Sequence, residues 1–350
     1  MRLRYFILAA LLICIALSNV RAEETKLTGK ISGYLMGDYY YMVGADTAAK
    51  RGNRQYSATP KDFQAFQFRR LYVIYDQPLS DKFAFQTIIE SNDKTYDPTG
   101  KFGLYVKTAF LEWKEIIGTS TLRIGLIPTL TWGYAEKMWN YRSLEKTIAD
   151  ANGLGQPTDM GVSLRGMIDN EGMFSYGAMI SNGTASLVEN NKYKKYSGEV
   201  LAKPLKELSI EVVADYEPGA LDKSKTTLKG LVAYQNEHFT IGGEYVQQTQ
   251  ANAAGVDTSI VPQGLSFFAW APIPGVENLN GIVRYDMFDP NTKSSTAGFK
   301  ENFLEIGVDY MPIPNVHFMP NLWMNTYSSK ASATRSSDVV ARLTFFYIYK

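Results

Sequence analysis

Hydrophobic and polar residues alternate with a period of two along most of the chain. Around residue 210, for example, Leu208, Ile210 and Val212 fall on one face of an extended segment, and Glu211 and Asp215 fall on the other. This period is typical of β-strands with one apolar and one polar face. Sixteen such segments are predicted, at 27–43, 63–76, 82–92, 103–114, 119–127, 159–168, 173–182, 195–203, 208–217, 225–235, 238–248, 264–272, 279–288, 301–311, 315–327 and 338–349. Each is long enough to cross a bilayer at a tilt, which takes about 9–11 residues.

The connections between these strands alternate in length. Those after even-numbered strands are tight, as at Asn236-Glu237 and Pro312-Ile313-Pro314, whereas most after odd-numbered strands are long and polar, as at 44–62 and 128–158. A soluble β-sandwich mixes loop lengths at both ends, but an outer-membrane barrel keeps short turns in the periplasm and long loops outside. We therefore expect an all-β fold, a transmembrane antiparallel β-barrel of sixteen strands, closed so that no strand edge faces lipid.

The N-terminus resembles an export signal. Arg2 and Arg4 precede an apolar run at 6–17, and a small-residue cleavage site ends at Ala22. The run is shorter than the roughly 20 residues of a membrane-spanning helix, which disfavours an anchor. A lipid-modified Cys14 is also disfavoured, because the bulky Ile13 precedes it. The predicted organisation is a signal peptide at 1–22 and a barrel domain at 23–350, located in the bacterial outer membrane.

The composition disfavours nucleic-acid binding and cysteine chemistry. The full chain has 36 basic and 35 acidic residues, and cleavage after Ala22 would leave 33 and 35. This balance does not indicate nucleic-acid binding, which usually shows as a concentrated basic excess. Cleavage would also remove Cys14, the only cysteine, and with it any disulfide, thiol nucleophile or thiolate ligand. No cofactor or metal is predicted; outer-membrane lipid and small hydrophilic solutes or ions are the expected partners.

The third long connection, 128–158, is the longest and is predicted to fold inward. Ser143 can cap a short helix through Asp150 that ends in a left-handed turn at Asn152-Gly153. Leu144 and Ile148 would share the face that packs on the barrel wall. An external loop that covers the barrel mouth is the alternative. The charged side chains of this loop are the predicted pore constriction: Glu136, Lys137, Arg142, Glu145 and Lys146.

Alternation also assigns charged residues to the inner wall of the barrel. The second, fifth and sixth strands would form a basic sector, and the eighth, ninth and eleventh an acidic one. The basic residues are Arg69, Arg123 and Arg165, and the acidic residues are Glu199, Glu211, Asp215 and Glu244. Opposed sectors would set a transverse field that favours polar solutes. The alternative is that lumen charges pair with each other, as Arg284 and Asp286 could on one strand.

With these features the chain resembles the outer-membrane porins related to the phosphate-selective porin O and P family. The resemblance covers most of the region after Ala22, and its more specific parts are Phe68-Arg69-Arg70, Gly125 through Thr129, Lys137 through Arg142, Leu144 through Thr147 and Asp159 through Gly166. It implies a general sixteen-stranded channel, usually a homotrimer, for passive diffusion of small hydrophilic solutes. A ladder of basic residues is not matched, so phosphate specificity is not implied.

Three other functions remain open from the residues. A substrate-specific uptake channel for an oxyanion or a sugar could use Trp132, Tyr134, Trp139 and Tyr141 as a binding track. A barrel enzyme is less favoured, because His238 and His317 are the only histidines and both are expected to be solvated turn residues. Glu211 and Asp215 would lie about 13 Å apart on a strand, too far for a glycosidase pair. A structural or adhesive barrel is the third.

Overall fold

The computed structural model describes residues 28–46, 56, 59–255 and 257–350. Sixteen antiparallel strands form one closed barrel in which each strand pairs with its sequence neighbours and β1 pairs with β16. The strands are β1 Lys30–Gly44, β2 Gln64–Pro78, β3 Phe83–Asn92, β4 Tyr105–Ile117, β5 Ser120–Pro128, β6 Thr158–Met167, β7 Phe174–Ser181, β8 Lys195–Ala202, β9 Leu208–Pro218, β10 Ser224–Gln235, β11 Thr240–Ala251, β12 Gln263–Pro272, β13 Leu279–Asp289, β14 Phe299–Ile313, β15 Val316–Ser329 and β16 Asp338–Tyr349. The predicted fold and strand number are confirmed. The predicted signal peptide lies outside the described residues.

Short and long connections alternate as the sequence indicates. Connections after even-numbered strands have two to six residues, whereas the connection between β5 and β6 has 29. The β9–β10 connection, 219–223, is the short exception among the odd-numbered ones. Across the described ranges, no helix is long and apolar enough to span a membrane.

The two faces of the strands differ in polarity. On β9, Val212 and Tyr216 point outward and are exposed, whereas Glu211 and Asp215 point inward and are buried. The same order recurs around the barrel, and the outward surface carries Leu228, Val232, Ile241, Phe267, Val283, Ile306, Leu322 and Leu343. An apolar outer band with a polar interior is the arrangement that a bilayer requires of a barrel.

A bulge places two consecutive arginines on the inner side of β2. Met36 pairs with Arg70 and the next residue, Gly37, pairs with Phe68, so Arg69 is the extra residue. An inserted residue shifts the alternation by one position. Arg69 and Arg70 therefore both point inward, whereas strict alternation predicts only Arg69.

Loop L3, residues 129–157, contains two helices, α1 (Gly133–Trp139) and α2 (Ile148–Ala151). The sequence prediction missed α1, and the predicted helix from Ser143 to Asp150 is wrong over its first part. Neighbouring side chains bind the backbone carbonyls that such a helix would use: Arg69 donates to Ser143 O at 2.5 Å and Trp139 Nε1 donates to Glu145 O at 2.8 Å. The left-handed turn is present at Gly153, with φ +67°.

L3 lies inside the barrel against β10–β15. Trp139 and Leu144 are buried in one cluster with Leu231 of β10, Phe268 of β12 and Met319 of β15. Polar side chains of the wall also bind the loop backbone: Lys229 donates to Thr131 O at 2.7 Å, Arg284 to Lys146 O at 2.5 Å and Gln248 to Leu154 O at 3.3 Å. One side of the barrel interior is therefore filled, and the opposite side stays open.

Candidate pore constriction

Three cavities lie in sequence along the side of the barrel that L3 leaves open. The outer cavity, about 240 Å³, is lined by Asp93 and Lys94 next to a long loop. The central cavity, about 440 Å³, shares Met36, Lys107, Arg142 and Pro157 with the outer one. The inner cavity, about 810 Å³, shares Gly133 and Lys137 with the central one and reaches Gly118 and Thr119 in a short turn. Together the cavities follow a path between the long-loop side and the short-turn side.

The outer cavity carries an excess of positive charge. Six basic and four acidic residues line it: Arg69, Arg70, Lys94, Lys107, Arg142 and Lys146 against Glu90, Asp93, Glu145 and Asp150. A charge excess in a narrow site with low-dielectric walls is weakly screened and raises the local concentration of the opposite ion. The outer cavity is therefore electropositive.

The neck between the outer and central cavities has two cations for one carboxylate. Glu90 lies 3.0 Å from Arg70 Nε and 2.8 Å from Lys107 Nζ. The side chains of all three are at most 12 % exposed. Among the residues that the structure describes, no atom accepts a hydrogen bond from Arg70 Nη1. In this group of three side chains two cations therefore share one carboxylate, and Arg70 Nη1 is a buried donor that has no acceptor in the described structure.

The charged residues predicted in L3 divide into two groups. Arg142 lies between two acids, with Nε 2.8 Å from Glu136 and Nη2 3.0 Å from Asp150, and Lys146 Nζ is 3.6 Å from Asp150. Arg142 lines the neck, and Glu136 and Lys137 line the central cavity. Glu145 is only 1 % exposed, and its carboxylate accepts a hydrogen bond from Trp323 Nε1 at 2.9 Å. Glu145 therefore holds L3 to β15 more than it contacts solute.

Burial and neighbouring carboxylates set the protonation of Arg142 and Lys146 in L3. Burial lowers the pKa of Arg142, but Glu136 and Asp150 outweigh it and hold that pKa well above its usual range. Burial also lowers the pKa of Lys146, and the attraction of Asp150 offsets this only in part. Arg142 therefore stays charged at every physiological pH, whereas Lys146 loses its proton more readily than an ordinary lysine.

The predicted basic and acidic wall sectors are wrong as separate sectors. All seven of these residues point inward, but six of them have a partner of opposite charge on another strand. The pairs are Arg69–Asp38 at 3.3 Å, Arg123–Glu112 at 2.8 Å, Arg165–Glu199 at 3.1 Å, Lys229–Glu211 at 2.7 Å and Lys195–Asp215 at 3.0 Å. The prediction took the facing of each charge from the alternation of its own strand, whereas its partner is decided by the register between strands. Arg284 and Asp286 also pair, at 2.7 Å.

Only some of the wall residues line the path. Arg123, Arg165 and Glu199 line the inner cavity, and Arg69 lines the outer one. Glu211 and Asp215 are buried and contact L3 instead of the path. Glu211 pairs with Lys229, which donates to Thr131 O of L3, and Thr131 Oγ1 donates to Asp215. Glu244 is 2 % exposed, and in the described part of the chain its Oε1 has no hydrogen-bond partner.

Two of the four aromatic residues proposed as a binding track are packed away from the path. Trp139 is 1 % and Tyr141 3 % exposed; Trp139 packs on the wall residue Phe268, and Tyr141 packs on Trp270. Trp132 lines the central cavity and Tyr134 the inner one.

His238 is a solvated turn residue, as predicted, with a 77 % exposed side chain. His317 is not: its Nδ1 lies 3.0 Å from each carboxylate oxygen of Asp309, and its ring packs on Phe346. No group of three or more potential metal-ligating residues occurs within the described ranges.

Strand register brings residues to the neck that the sequence prediction did not select. Arg70, Glu90 and Lys107 come from three adjacent strands, and Tyr34 and Tyr72 stand beside them. Alternation around Ile89 does assign Glu90 to the lumen, but it does not show which cations face it. The bulge at Arg69 conceals Arg70 from a period-two pattern.

Comparison with solved structures identifies the architecture. An anion-selective porin from Comamonas acidovorans superposes with a TM-score of 0.63 at 14 % identity, covering 93 % of this chain and all of that one. The chain has the fold of outer-membrane porins. The outer membrane channel DcaP of Acinetobacter baumannii gives a TM-score of 0.66 at 12 % identity, covering 94 % and 100 %. OmpF of Salmonella typhi in complex with daunomycin gives 0.62 at 11 % identity, covering 92 % and 97 %. No family model and no curated protein matches the sequence.

Proposed function

We propose that this porin-fold chain forms a water-filled outer-membrane channel for passive diffusion of small hydrophilic solutes and ions. The observation that carries the proposal is the row of three cavities between L3 and the adjacent strands β16 and β1–β8, inside a closed barrel with an apolar outer face. L3 narrows the lumen, and the solute path runs past the neck. Such a constriction sets solute size and charge preference.

The channel prefers anions. Support comes from the excess of basic residues in the outer cavity and from the neck, where Glu90 compensates only one of two cations. Fixed charges select ions most strongly where the lumen is narrow, because water then screens them least. The Arg142 and Lys146 side chains of L3 contribute to the same field, although Glu136 and Asp150 oppose them.

A planar-bilayer experiment tests the proposal. The purified protein should give ohmic single-channel steps in KCl, and a salt gradient should give a reversal potential of the sign expected for chloride preference. The double variant Arg142→Gln/Lys146→Gln should shift that potential toward zero. A matched control is Lys225→Gln, which changes an exposed lysine that pairs with Glu217 of β9 at 3.0 Å. An unchanged potential in the double variant would contradict the role of L3, and an absence of conductance would contradict the channel.

Three finer features belong to the same proposal. A homotrimer is supported by an OmpT of Vibrio cholerae solved in a trimer form, which superposes with a TM-score of 0.60 at 12 % identity. Export by a cleaved signal peptide is supported by the N-terminal pattern of two arginines, an apolar run and a small-residue cleavage site. A relation to the phosphate-selective porin O and P family is supported by the motifs around Arg69 and in L3. Chemical cross-linking of the detergent-solubilised protein and N-terminal sequencing of the outer-membrane form test the first two.

A further inference from the structure

The neck and the central cavity together have two kinds of recognition surface. On one side of the neck are the cations Arg70, Lys107 and Arg142, and below them is an aromatic wall of Tyr34, Tyr72 and Phe346. A diffusion pore for polar solutes does not require an aromatic wall next to its narrowest point. The combination matches a ligand with a negatively charged head and a flat apolar body.

The aromatic wall is continuous and faces the cavity from three adjacent strands, with Tyr34 on β1, Tyr72 on β2 and Phe346 on β16. The Tyr34 ring lies 4.5 Å from Tyr72 and 5.5 Å from Phe346, with the second contact edge-to-face. Trp132 of L3 and Ile88 complete the apolar lining. Aromatic rings prefer such offset and edge-to-face partners, at centroid distances of about 4.5–7 Å. A further ring entering the cavity would find partners already held in place by the sheet.

The cations are placed where the head of such a ligand would lie. Lys107 Nζ is 5.2 Å and Arg70 Cζ 5.5 Å from the centre of the Tyr72 ring, so the charged and aromatic surfaces meet at one side chain. Arg70 is 9 % exposed, and its Nη1 has no hydrogen-bond acceptor in the described structure. A buried donor without an acceptor costs free energy that an incoming carboxylate would recover.

We propose that the neck and the central cavity form a binding subsite for aromatic carboxylates. The carboxylate binds Arg70 and Lys107 in place of the missing second acid, and the ring packs against Tyr34 and Phe346. The volume of the central cavity, about 440 Å³, is in the range of small-molecule sites. This inference rests on the proposed function, because it makes the constriction a selective step within a general diffusion path.

Binding to the detergent-solubilised protein tests the subsite without any need for conductance. Isothermal titration at constant ionic strength compares benzoate, which has both the ring and the charge, with acetate and with benzyl alcohol, each of which lacks one. Benzoate should bind at least about ten-fold more tightly than either, since ring packing and a charge-assisted hydrogen bond are each worth about one order of magnitude. Phosphate is included as an oxyanion without a ring.

Variants separate the two halves of the subsite. Lys107→Gln should weaken benzoate and acetate binding alike by about ten-fold, whereas Tyr34→Leu should weaken benzoate binding only. Tyr176→Leu, in the inner cavity, and Lys225→Gln, outside the path, are the matched controls and should bind benzoate as the unmodified protein does. Each variant should migrate faster in a detergent gel before heating than after it, which verifies that the barrel is folded before heat unfolds it.

The outcomes distinguish the subsite from the channel. Equal binding of benzoate and acetate, or of benzoate and phosphate, overturns the aromatic half, and equal binding of benzoate and benzyl alcohol overturns the anionic half. Benzoate affinity that survives both Lys107→Gln and Tyr34→Leu places the ligand elsewhere and overturns the proposal. In bilayers, benzoate should block chloride current at concentrations where acetate does not. A channel that conducts but shows no such difference retains the proposed function and loses the subsite.

Discussion

Replacing Arg284 with methionine should release loop L3 from the barrel wall. Arg284 is 1 % exposed, forms a two-pronged ion pair with Asp286 at 2.8 and 2.7 Å, and donates to Lys146 O at 2.5 Å. Its guanidinium also lies 5.1 Å from the Trp139 ring centre. The variant leaves Asp286, itself fully buried, without its cation as long as L3 covers it.

The magnitude follows from the cost of a buried charge without its partner. Breaking a buried ion pair by removing one partner costs about 3–5 kcal/mol. That cost disappears when L3 opens and water reaches Asp286, so the opening equilibrium of the loop should increase by roughly two to three and a half orders of magnitude. Protection of L3 amides against hydrogen exchange should fall by the same factor, because exchange from a locally opened loop follows its opening free energy.

Hydrogen exchange with mass spectrometry of peptides from 129–157 measures this directly. The double variant Arg284→Met/Asp286→Leu removes the charge pair as a unit and should keep more of the protection than the single variant, because Asp286 is then no longer buried without its cation. Arg123→Met, which breaks the Arg123–Glu112 pair in the inner cavity, is the control and should leave L3 unchanged. Protection within about three-fold of the unmodified protein in the single variant would refute the reasoning.

Three further predictions concern the same loop. Burial lowers the pKa of Lys146, and its deprotonation removes a positive charge from the path. Anion preference should therefore begin to fall at a pH below about 10.4, the ordinary pKa of a lysine. The step in reversal potential should be smaller in Lys146→Gln, and a step of unchanged size would contradict the assignment. Gly264→Leu should displace α2 and raise single-channel conductance, because even a Cβ there would lie 2.7 Å from Ile148 Cδ1, whereas Gly198→Leu has open space and should conduct normally. Trp323→Phe removes the donor to the buried Glu145 carboxylate, worth about 1.5–3 kcal/mol, and should speed hydrogen exchange of L3 about ten- to a hundred-fold; unchanged exchange would show that this bond does not hold the loop.

Rules that use only neighbouring residues predicted the strands of the barrel well and the structure of L3 poorly. Strands such as 208–217 and 338–349 were predicted within a residue or two, because alternation and turn residues are properties of adjacent positions. The helix from Ser143 was predicted by the same local rules and failed. Side chains from β2 and from α1 take its backbone carbonyls, and no local rule contains them.

For the charged residues of the site, the sequence predicted which way each side chain faces but not which partner it has. The sequence placed Arg69, Arg123 and Glu211 on the inner face correctly, because facing depends only on the period of the strand. It could not pair them, since the partners Asp38, Glu112 and Lys229 lie on other strands. It therefore predicted segregated sectors where the structure has neutral pairs. At the neck, three strands and a bulge bring Arg70, Lys107 and Glu90 together, so that two cations share one carboxylate.

The sequence by itself determined that the chain is a sixteen-stranded barrel, and it showed which face of each strand is apolar and which connection is the longest. These features depend on strand period and loop length, which are properties of neighbouring residues. Only the tertiary structure decided where L3 packs, which charges cancel and where the open path runs. Those features depend on register between strands and on contacts between residues more than a hundred positions apart, such as Arg284 with Lys146 and Trp323 with Glu145.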